Sequence, residues 1–571
     1  MEFYTIFTPL KKEIKYMSTN ISGIKREELI SKINQIKAFI EQNAHDKNAA
    51  NLFSYLGELT REVNGKKYGL VFEEHREAID EKLENNAPVF TEETGLFVDG
   101  SGELNFLLEG DNLASLKLLE KTHRGKIDVI YIDPPYNTGI KSSDGGFKYD
   151  DSFVEPEDSF KHSKWLSFML PRLKTAKELL NKEGFILISI DDREQAPLKM
   201  LCDEIFGAQN FINQFIWKRN SSGKTEKDKY TVNTEYVLLY SKSRSCILNN
   251  VYKPLADSSI KLYKFDDNDG RGKYATVSLQ KPADPGPETS FDYIDNNGKV
   301  WKCPPKGWRM VFDKIKKLEN DNRLVFGNTL RVKDYWNERE SEGKRIDTLW
   351  IDLPENTVGS AELEDILNKA NAFNNPKPTD LISRCIQING NKSSTILDFF
   401  AGSGTTGHAV LKLNAEDGGH RKFILCTNNE NNICRDITYE RLKTVITGKR
   451  KDGSSYSDGL SGSLKYLKTD FIDISEKMYY EYADELLLHV RELVELENAV
   501  NFDKDDSVAI VLSDEELSSF VEKLSSSDSV AAVTLYMGHD VLPTGEQERA
   551  LKKHGIKVNV IPDYYYRDLA L

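Results

Sequence analysis

The sequence predicts an α/β protein built on a mostly parallel sheet, and three observations carry that prediction. Short β-rich apolar runs alternate with stretches of helical periodicity, the pattern of a sheet with crossover helices. One run, ending near Asp398, leads straight into a Gly-x-Gly-x-x-Gly loop, Gly402 to Gly407, that opens a helix. Another run, Ile127–Ile132, ends in Asp133-Pro134-Pro135-Tyr136. Proline fixes φ, removes an N–H and pushes the preceding residue extended, so this is a rigid edge with carbonyls facing outward.

The elements follow in chain order. Residues 1–100 form an N-terminal helical region, because residues 21–85 carry Lys, Glu, Leu and Ile at helical spacing, as in Glu28-Leu-Ile-Ser-Lys-Ile. Met17 is a second candidate start. Residues 101–210 hold the first part of the core: a buried strand at 127–132, an amphipathic helix at 165–182 and a second buried strand at 184–190. Between 211 and 350 the texture becomes short β-like pieces and turns, with aromatics beside basic residues, as in Trp217-Lys218-Arg219 and Arg331-Val-Lys333-Asp-Tyr-Trp. That span reads as an insert. Residues 351–452 complete the core, with strands at 394–399 and 422–427. Residues 453–571 read as a Ser/Gly-rich linker at 453–463, a long acidic amphipathic helix near 474–500 and a small α/β segment from about 507 to 565. There is no internal repeat.

The chain has 571 residues, room for several domains at roughly 100–200 residues each. Its net charge is −14. An acidic total argues against a simple DNA coat, but partners feel local charge. Residues 465–571 hold 11 Lys/Arg against 22 Asp/Glu, most of the excess, whereas residues 301–345 hold 12 against 7. The acidic tail is expected to serve subunit contacts or to keep the C-terminus off phosphates. A mean hydropathy of −0.52 and the lack of a long apolar run argue against a membrane span, and Met1-Glu-Phe-Tyr does not open a signal peptide. The six cysteines form no Cys-x-x-Cys pair, which points to reduced thiols and no structural metal site.

The two motifs suggest chemistry. A planar NH2 group can donate one hydrogen to the Asp133 carboxylate and one to the Pro134 carbonyl while Tyr136 stacks on its ring, which suits the exocyclic amine of a base drawn out of its stack. Taken alone, Asp-Pro-Pro-Tyr is equally a strand-ending turn. The glycine loop can cradle a dinucleotide or another adenosine cofactor at a helix N-terminus, or simply pack.

Together the motifs resemble the amino-group DNA methyltransferases that use S-adenosyl-L-methionine, with a Rossmann-like core. Asp-Pro-Pro-Tyr precedes the glycine loop here, as in the permuted β group of those enzymes. Gly110-Asp111-Asn112-Leu matches a cofactor-contacting segment of the family, and Asn375-Pro-Lys377-Pro378-Thr379-Asp matches its Lys-Pro segment. Thr234-Glu235-Tyr236-Val-Leu-Leu-Tyr resembles the strand that closes the base pocket. By this resemblance Asp133, Pro134, Pro135 and Tyr136 are catalytic. Asp111, Asn112, Lys377, Pro378, Asp398, Phe400, Gly402, Ser403, Gly404, Thr405 and Glu430 are cofactor-facing. Glu430 is the ribose carboxylate with Asn428 as its alternative, and the other reading of Asp398 is a brace of the loop. A finer resemblance is to the modification (Mod) subunits of type III restriction–modification systems, carried by Asp133-Pro-Pro-Tyr-Asn-Thr-Gly and by Gly419-His-Arg-Lys-Phe-Ile-Leu-Cys-Thr-Asn-Asn-Glu. It implies a prokaryotic cytoplasmic enzyme, a homodimer, double-stranded DNA as substrate and a restriction (Res) subunit as partner. No Gly-x-x-x-x-Gly-Lys-[Ser/Thr] occurs, so the chain is not the ATP-driven restriction subunit.

The insert then looks like a target-recognition domain, with Lys218, Arg219, Arg309, Arg331 and Lys333 as candidate phosphate or base contacts. The reaction implied is direct displacement at a sulfonium methyl, with the proton lost to Asp133 or to water. Asp before Pro-Pro-Tyr favours adenine N6 in the family. N4-cytosine methylation and an orphan regulatory adenine enzyme are the alternatives. A dinucleotide oxidoreductase would leave Asp133–Tyr136 unexplained, and a degenerate DNA-binding module would not need Asp133, Tyr136, Gly402 and Gly404 intact. His408 reads as a helix-surface residue.

Overall fold

A computed structural model describes residues 21–43, 47–64, 70–138, 159–222, 230–253, 261–281, 286–338, 344–475, 482, 485–526 and 533–565. The chain divides into two units, Met1–Glu73 and Glu74–Leu571. In the first, helices α1 (Ile21–Asn43) and α2 (Lys47–Asn64) bury Ile33, Ile40 and Leu56 against each other. Met17 and the residues around it lie outside the described residues.

The second unit is organised by a ten-stranded sheet. In chain order its strands are β1 (Asn86–Glu92), β2 (Leu104–Glu109), β3 (Ile127–Ile132), β4 (Leu180–Ile190), β5 (Phe211–Lys218), β6 (Thr234–Ser241), β7 (Leu349–Trp350), β8 (Thr395–Asp398), β9 (Lys422–Thr427) and β10 (Ser463–Asp473). Their spatial order is β1-β10-β2-β9-β8-β3-β4-β6-β5-β7. The run from β10 to β4 is parallel, while β1 and β6 are antiparallel to their neighbours. The central strands are continuous apolar runs because both faces are covered, as in other parallel sheets. Leu107, Val129, Tyr131, Leu187, Phe423 and Leu425 all lie in one buried cluster. The helices that shape the site are α3 (Asn112–His123), α4 (Lys161–Leu179), α5 (Thr379–Gln387), α6 (Thr405–Asp417) and α7 (Glu440–Thr447). The α/β, Rossmann-like prediction holds.

Three boundaries are corrected. The helical region does not run to residue 100: β1 is an edge strand of the core sheet, pairing with β10 from Asn86↔Asp473 to Glu92↔Leu467. The insert is narrower than 211–350, because β5, β6 and β7 belong to the main sheet, where Phe215, Trp217, Val237, Leu239 and Trp350 are buried. What stands apart lies between Tyr252 and Arg345. It holds a three-stranded antiparallel sheet (Tyr274–Ser278, Leu324–Phe326, Leu330–Tyr335) over its own core of Leu279, Tyr293, Trp301, Trp308 and Ile315. The C-terminal part does not begin as a detached acidic region, because β10 lies inside the main sheet between β1 and β2. The Gly453–Ser463 stretch is tied down where it enters β10, by Leu460 N to Val445 O (2.8 Å) and Ser463 N to Glu103 O (2.9 Å).

Of the acidic helix expected near 474–500, α8 (Val490–Asn498) is described, while residues 476–481 and 483–484 lie outside the described residues. Beyond it, Val508–Val511, Thr534–Met537 and Lys557–Val560 form a small parallel sheet with its own core at Val511, Leu517, Leu535 and Leu551, as expected for 507–565. Among the described residues no helix is long and apolar enough to cross a membrane, and no three His, Cys, Asp or Glu side chains converge to hold a metal ion.

Candidate active site

The carboxyl ends of β3 and β8, neighbours in the sheet, bring the two motifs together. After β3 the chain is held from several sides. Trp165 of α4 donates its Nε1–H to the Pro135 carbonyl at 2.7 Å. Asn137, at φ +53°, donates through Nδ2 to Glu194 Oε1 at 2.5 Å, and His162 Nδ1 lies 2.7 Å from the same oxygen. After β8 the loop is braced by Asp398, which accepts from the Phe400 N–H at 2.9 Å and from the Thr406 hydroxyl at 2.5 Å. Thr438 donates to the Gly402 carbonyl at 2.6 Å. Gly402 (φ +50°) and Gly404 (φ +76°) take a left-handed backbone that side chains disfavour. The third glycine serves packing, since a Cβ on Gly407 would meet Leu442 at 2.7 Å.

Two cavities open over these loops and share Pro135 and Phe400 as a common wall. The first, about 230 Å3, is lined by Asp133, Pro134, Tyr136, Glu235, Lys377 and Ser403, among others. The second, about 270 Å3, is lined by Asp111, Asn112, Arg172, Asn428 and Glu430.

A compact charge cluster fills the floor of the first cavity. The Lys377 ammonium lies 3.1 Å from Asp133 Oδ2 and 3.2 Å from Glu235 Oε2, and donates to the Tyr136 hydroxyl at 2.8 Å. Tyr136 in turn donates to Asp133 Oδ1 at 2.6 Å. Arg219 donates to Glu235 Oε1 at 2.9 Å. Lys377 and Glu235 are buried, with side chains 6% and 2% exposed, whereas Asp133 keeps 28% through the cavity. Burial pushes the Asp133 carboxyl above its ordinary range, and the Lys377 ammonium opposes that rise. Burial alone would lower Lys377; Asp133 and Glu235 outweigh it and hold the ammonium above its usual value.

The second cavity is a polar cradle. Asp111 caps α3, its Oδ1 accepting from the Leu113 and Ala114 N–H groups at 2.8 and 3.2 Å. Asn112 donates to the Phe399 carbonyl at 2.9 Å and accepts from Arg172 Nε at 2.6 Å. Arg172 is 1% exposed and forms a two-pronged pair with Glu77 at 2.5 and 3.0 Å. The buried Asn428 Oδ1 has no hydrogen-bond partner among the described residues.

The predicted site residues mostly converge. Ser403 and Thr405 are braced from behind, Arg441 donating to their hydroxyls at 3.3 and 2.8 Å, and Thr405 donates to the Lys377 carbonyl at 3.2 Å. Pro378 immediately precedes α5 as its N-cap residue. Glu430 is exposed at the rim of the second cavity. The five predicted DNA-facing cations do not share one setting. Arg309 is exposed on the insert, and Lys218 is bound to Glu355 at 3.0 Å. Arg219 lines the first cavity, and Arg331 is bound to Thr276. Lys333 is corrected: it is 6% exposed and held by Asp267 and the Asn322 carbonyl, so its charge is spent inside the insert. His408 is also corrected. It is buried beside Thr379 and Arg441, and burial, then the Arg441 charge, drive its pKa well down. Trp165, Arg172 and Glu77 were missed as site residues, and Glu235 was named only within its strand. Arg172 carried a signal, a charged residue inside the apolar run Leu170-Pro-Arg172-Leu, whereas Glu77 lies in the charged stretch Glu73-Glu-His-Arg-Glu77 and carried none.

Asp398 yields a pH prediction. Burial pushes its carboxyl up to about 7, against the opposing hydrogen bonds from Thr406 and Phe400. A raised carboxyl favours the folded state while protonated. Its stabilising effect is complete below the unfolded value and fades as pH rises through about 7. The Asp398→Asn variant should therefore gain stability relative to the parent between pH 5.5 and 8, by at most a few kcal/mol. Thermal melts of both proteins across that range check this; parallel curves would refute it.

Comparison with known proteins adds the family. Residues 127–440, more than half of the chain, match the family model described as DNA methylase. The chain is 36% identical over 372 residues to the Type III restriction-modification enzyme StyLTI Mod subunit of Salmonella typhimurium, covering 60% of this chain and 55% of that protein. It is 28% identical over 422 residues to the EcoP15I Mod subunit of Escherichia coli, covering 61% and 64%. The Type II methyltransferase M.KpnI of Klebsiella pneumoniae is 32% identical over 419 residues, covering 70% of this chain and 93% of that one. The match thus spans less than two thirds of either Mod subunit. With the family's matched span running from the start of β3 into α7, through both motif loops, this chain belongs to the DNA methylase family.

Proposed function

We propose that this chain transfers a methyl group from S-adenosyl-L-methionine to the N6 amine of an adenine flipped out of double-stranded DNA, as the modification subunit of a type III restriction–modification system. The observation that carries the reading is the pair of adjoining cavities. One holds Asp133, Pro134 and Tyr136, the other Asp111, Asn112 and Glu430, and they meet at Pro135 and Phe400.

The residues present fit the cofactor. In the second cavity the unpartnered Asn428 Oδ1 with Asp111 and Glu430 offers acceptors for its hydroxyl and amino groups, and the left-handed Gly402 on the wall of the first lets backbone approach the end that reaches toward the base. Bound there, S-adenosyl-L-methionine supplies an electrophilic methyl on a sulfonium. The chain's own residues do the rest. Asp133 and Pro134 accept the two amine hydrogens and hold the nitrogen's lone pair away from the ring. Tyr136 faces the base, and the apolar wall at Phe400 limits water. Positioning and fixed charge supply most of the rate. A carboxyl raised by burial is a stronger acceptor once ionised, and the Lys377 ammonium beside it favours the ionised form.

Homodimerisation, pairing with a Res subunit carrying ATPase and nuclease activity, and a cytoplasmic location in a prokaryote belong to the same reading. Its support is the likeness to the Mod subunits. Sequencing that detects modified bases, on DNA from cells with and without the gene, is the direct test. N6-methyladenine in one defined motif is expected. N4-methylcytosine would move the assignment to the alternative target, and no new modified motif would overturn the methylation reading.

A further inference from the structure

We propose that Lys377 reads the target base, donating a hydrogen bond to the ring nitrogen beside the amine, so that Asp133 and Lys377 together select an amine next to a bare ring nitrogen. This rests on the methylation reading above. Lys377 entered the sequence reading as a cofactor contact, yet its ammonium faces the base side of the site. Its partners are Asp133 Oδ2 at 3.1 Å, the Tyr136 hydroxyl at 2.8 Å and Glu235 Oε2 at 3.2 Å, and it lies 5.0 Å from the centre of the Tyr136 ring. An ammonium has three donors and no acceptor. One of those donors is spent on the carboxylate that the base amine must use. The lysine therefore stands where the amine would donate.

When a base docks with its amine on Asp133, that ammonium hydrogen is displaced from the carboxylate and needs a new acceptor, because an unsatisfied buried donor is costly. The atom next to the amine on the base edge is the ring nitrogen, N1 of adenine or N3 of cytosine, and both carry a lone pair. Guanine and thymine present an N–H at the corresponding place and carbonyls beside it, which leaves donor facing donor. Glu235 gives the lysine its bearing. It is buried on β6, tied by Arg219 at 2.9 Å, and keeps the ammonium charged and aimed while Asp133 changes partner. A site with a buried polar group rejects an analogue lacking the matching atom far more strongly than an apolar pocket rejects a missing methylene.

The experiment compares the full-length protein and its Lys377→Met variant on two duplexes carrying the motif found by sequencing, one with adenine at the target and one with 1-deazaadenine. The analogue keeps the amine and replaces the ring nitrogen with C–H. With the parent protein kcat/KM should fall roughly ten- to a hundredfold on the analogue, chiefly through KM, the size of one hydrogen bond to a charged group. With Lys377→Met the two duplexes should be methylated equally, while S-adenosyl-L-methionine binding, titrated separately, stays within a few-fold of the parent. The analogue also weakens pairing to thymine and eases flipping, but equally for both proteins, so the ratio between them isolates the lysine. Equal rates on both duplexes with the parent protein overturn the inference without reference to any variant. Discrimination that survives in Lys377→Met overturns it as well. No transfer by the parent to the adenine duplex would overturn the methylation reading, and this inference with it.

Discussion

Replacing Asp133 with alanine lowers methyl transfer by about a hundred- to a thousandfold, the loss seen when one preorganised hydrogen-bonding group is removed from a reacting centre. The carboxylate is the acceptor toward which the amine must turn, and the other carboxylates lining the first cavity are already engaged, Asp191 by Arg193. Glu235 is buried and engaged by Lys377 and Arg219, and Asp398 is buried behind the loop. The fold should survive the change, because Lys377 retains Glu235 at 3.2 Å and Tyr136 at 2.8 Å, so no buried cation is left alone. Cofactor binding should survive too, since the second cavity is built from Asp111, Asn112 and Glu430. Asp133→Asn should fall between parent and alanine, because its amide oxygen still accepts one hydrogen bond. Single-turnover transfer of labelled methyl to motif-bearing DNA, alongside a cofactor titration and a thermal melt, separates these effects. Undiminished transfer by a folded Asp133→Ala protein would refute the assignment of this site.

Much of the centre of this molecule could be read from sequence because its strands are buried on both faces. Ile127–Ile132 and Lys422–Thr427 coincide with the expected strands residue for residue, since continuous apolar runs are what a covered parallel sheet requires. The helix expected at 165–182 is α4 at Lys161–Leu179. The glycine loop and Asp-Pro-Pro-Tyr were legible for a related reason: tight backbone geometry admits few residue types. What escaped were elements whose charges are cancelled by distant partners. Strand β10 begins Ser463-Leu-Lys465-Tyr-Leu-Lys468 and reads as a surface segment, yet Lys465 is fully buried between Glu92 at 2.7 Å and Glu495 at 2.5 Å. Glu235 and Arg172 escaped likewise, matched by Lys377 and Glu77 far along the chain. Lys333 failed in the opposite direction: a basic residue in a basic, aromatic stretch looked available, and Asp267 had already claimed it. Local pattern reports burial well when the buried side chain is apolar, and poorly when a charge is matched across the fold.

That same strand sets the second large effect. A chain ending at residue 462 should fail to fold, whereas one ending at residue 506 should keep a cooperative transition. Removing β10 strips partners from both β1 and β2 and exposes the row Phe106, Leu107 and Leu108. It also deletes Leu464, Tyr466 and Leu467, each fully buried. At about 1.5–3 kcal/mol for each large apolar side chain, those three alone reach about 5–9 kcal/mol, comparable with the whole net stability of an ordinary domain at about 5–15 kcal/mol. Glu92 would lose its lysine, and Glu109 would lose its hydrogen bond from the Tyr466 hydroxyl. Ending at 506 is different in kind. It keeps β10, α8 and the Lys465–Glu495 pair, and it removes a small sheet whose core of Val511, Leu517, Leu535 and Leu551 is its own. The losses at that junction include Phe502 on Tyr536, with ring centres 5.6 Å apart, the Tyr564 hydroxyl on Glu497 at 3.4 Å, and the packing of the turn Asp563–Tyr565 on α3. Far-UV and near-UV circular dichroism with thermal melts of the two truncations decides the matter. A soluble, cooperatively melting chain ending at 462 would show that the sheet closes without β10, and that the buried charge pair at Lys465 belongs to an appendage and not to the core.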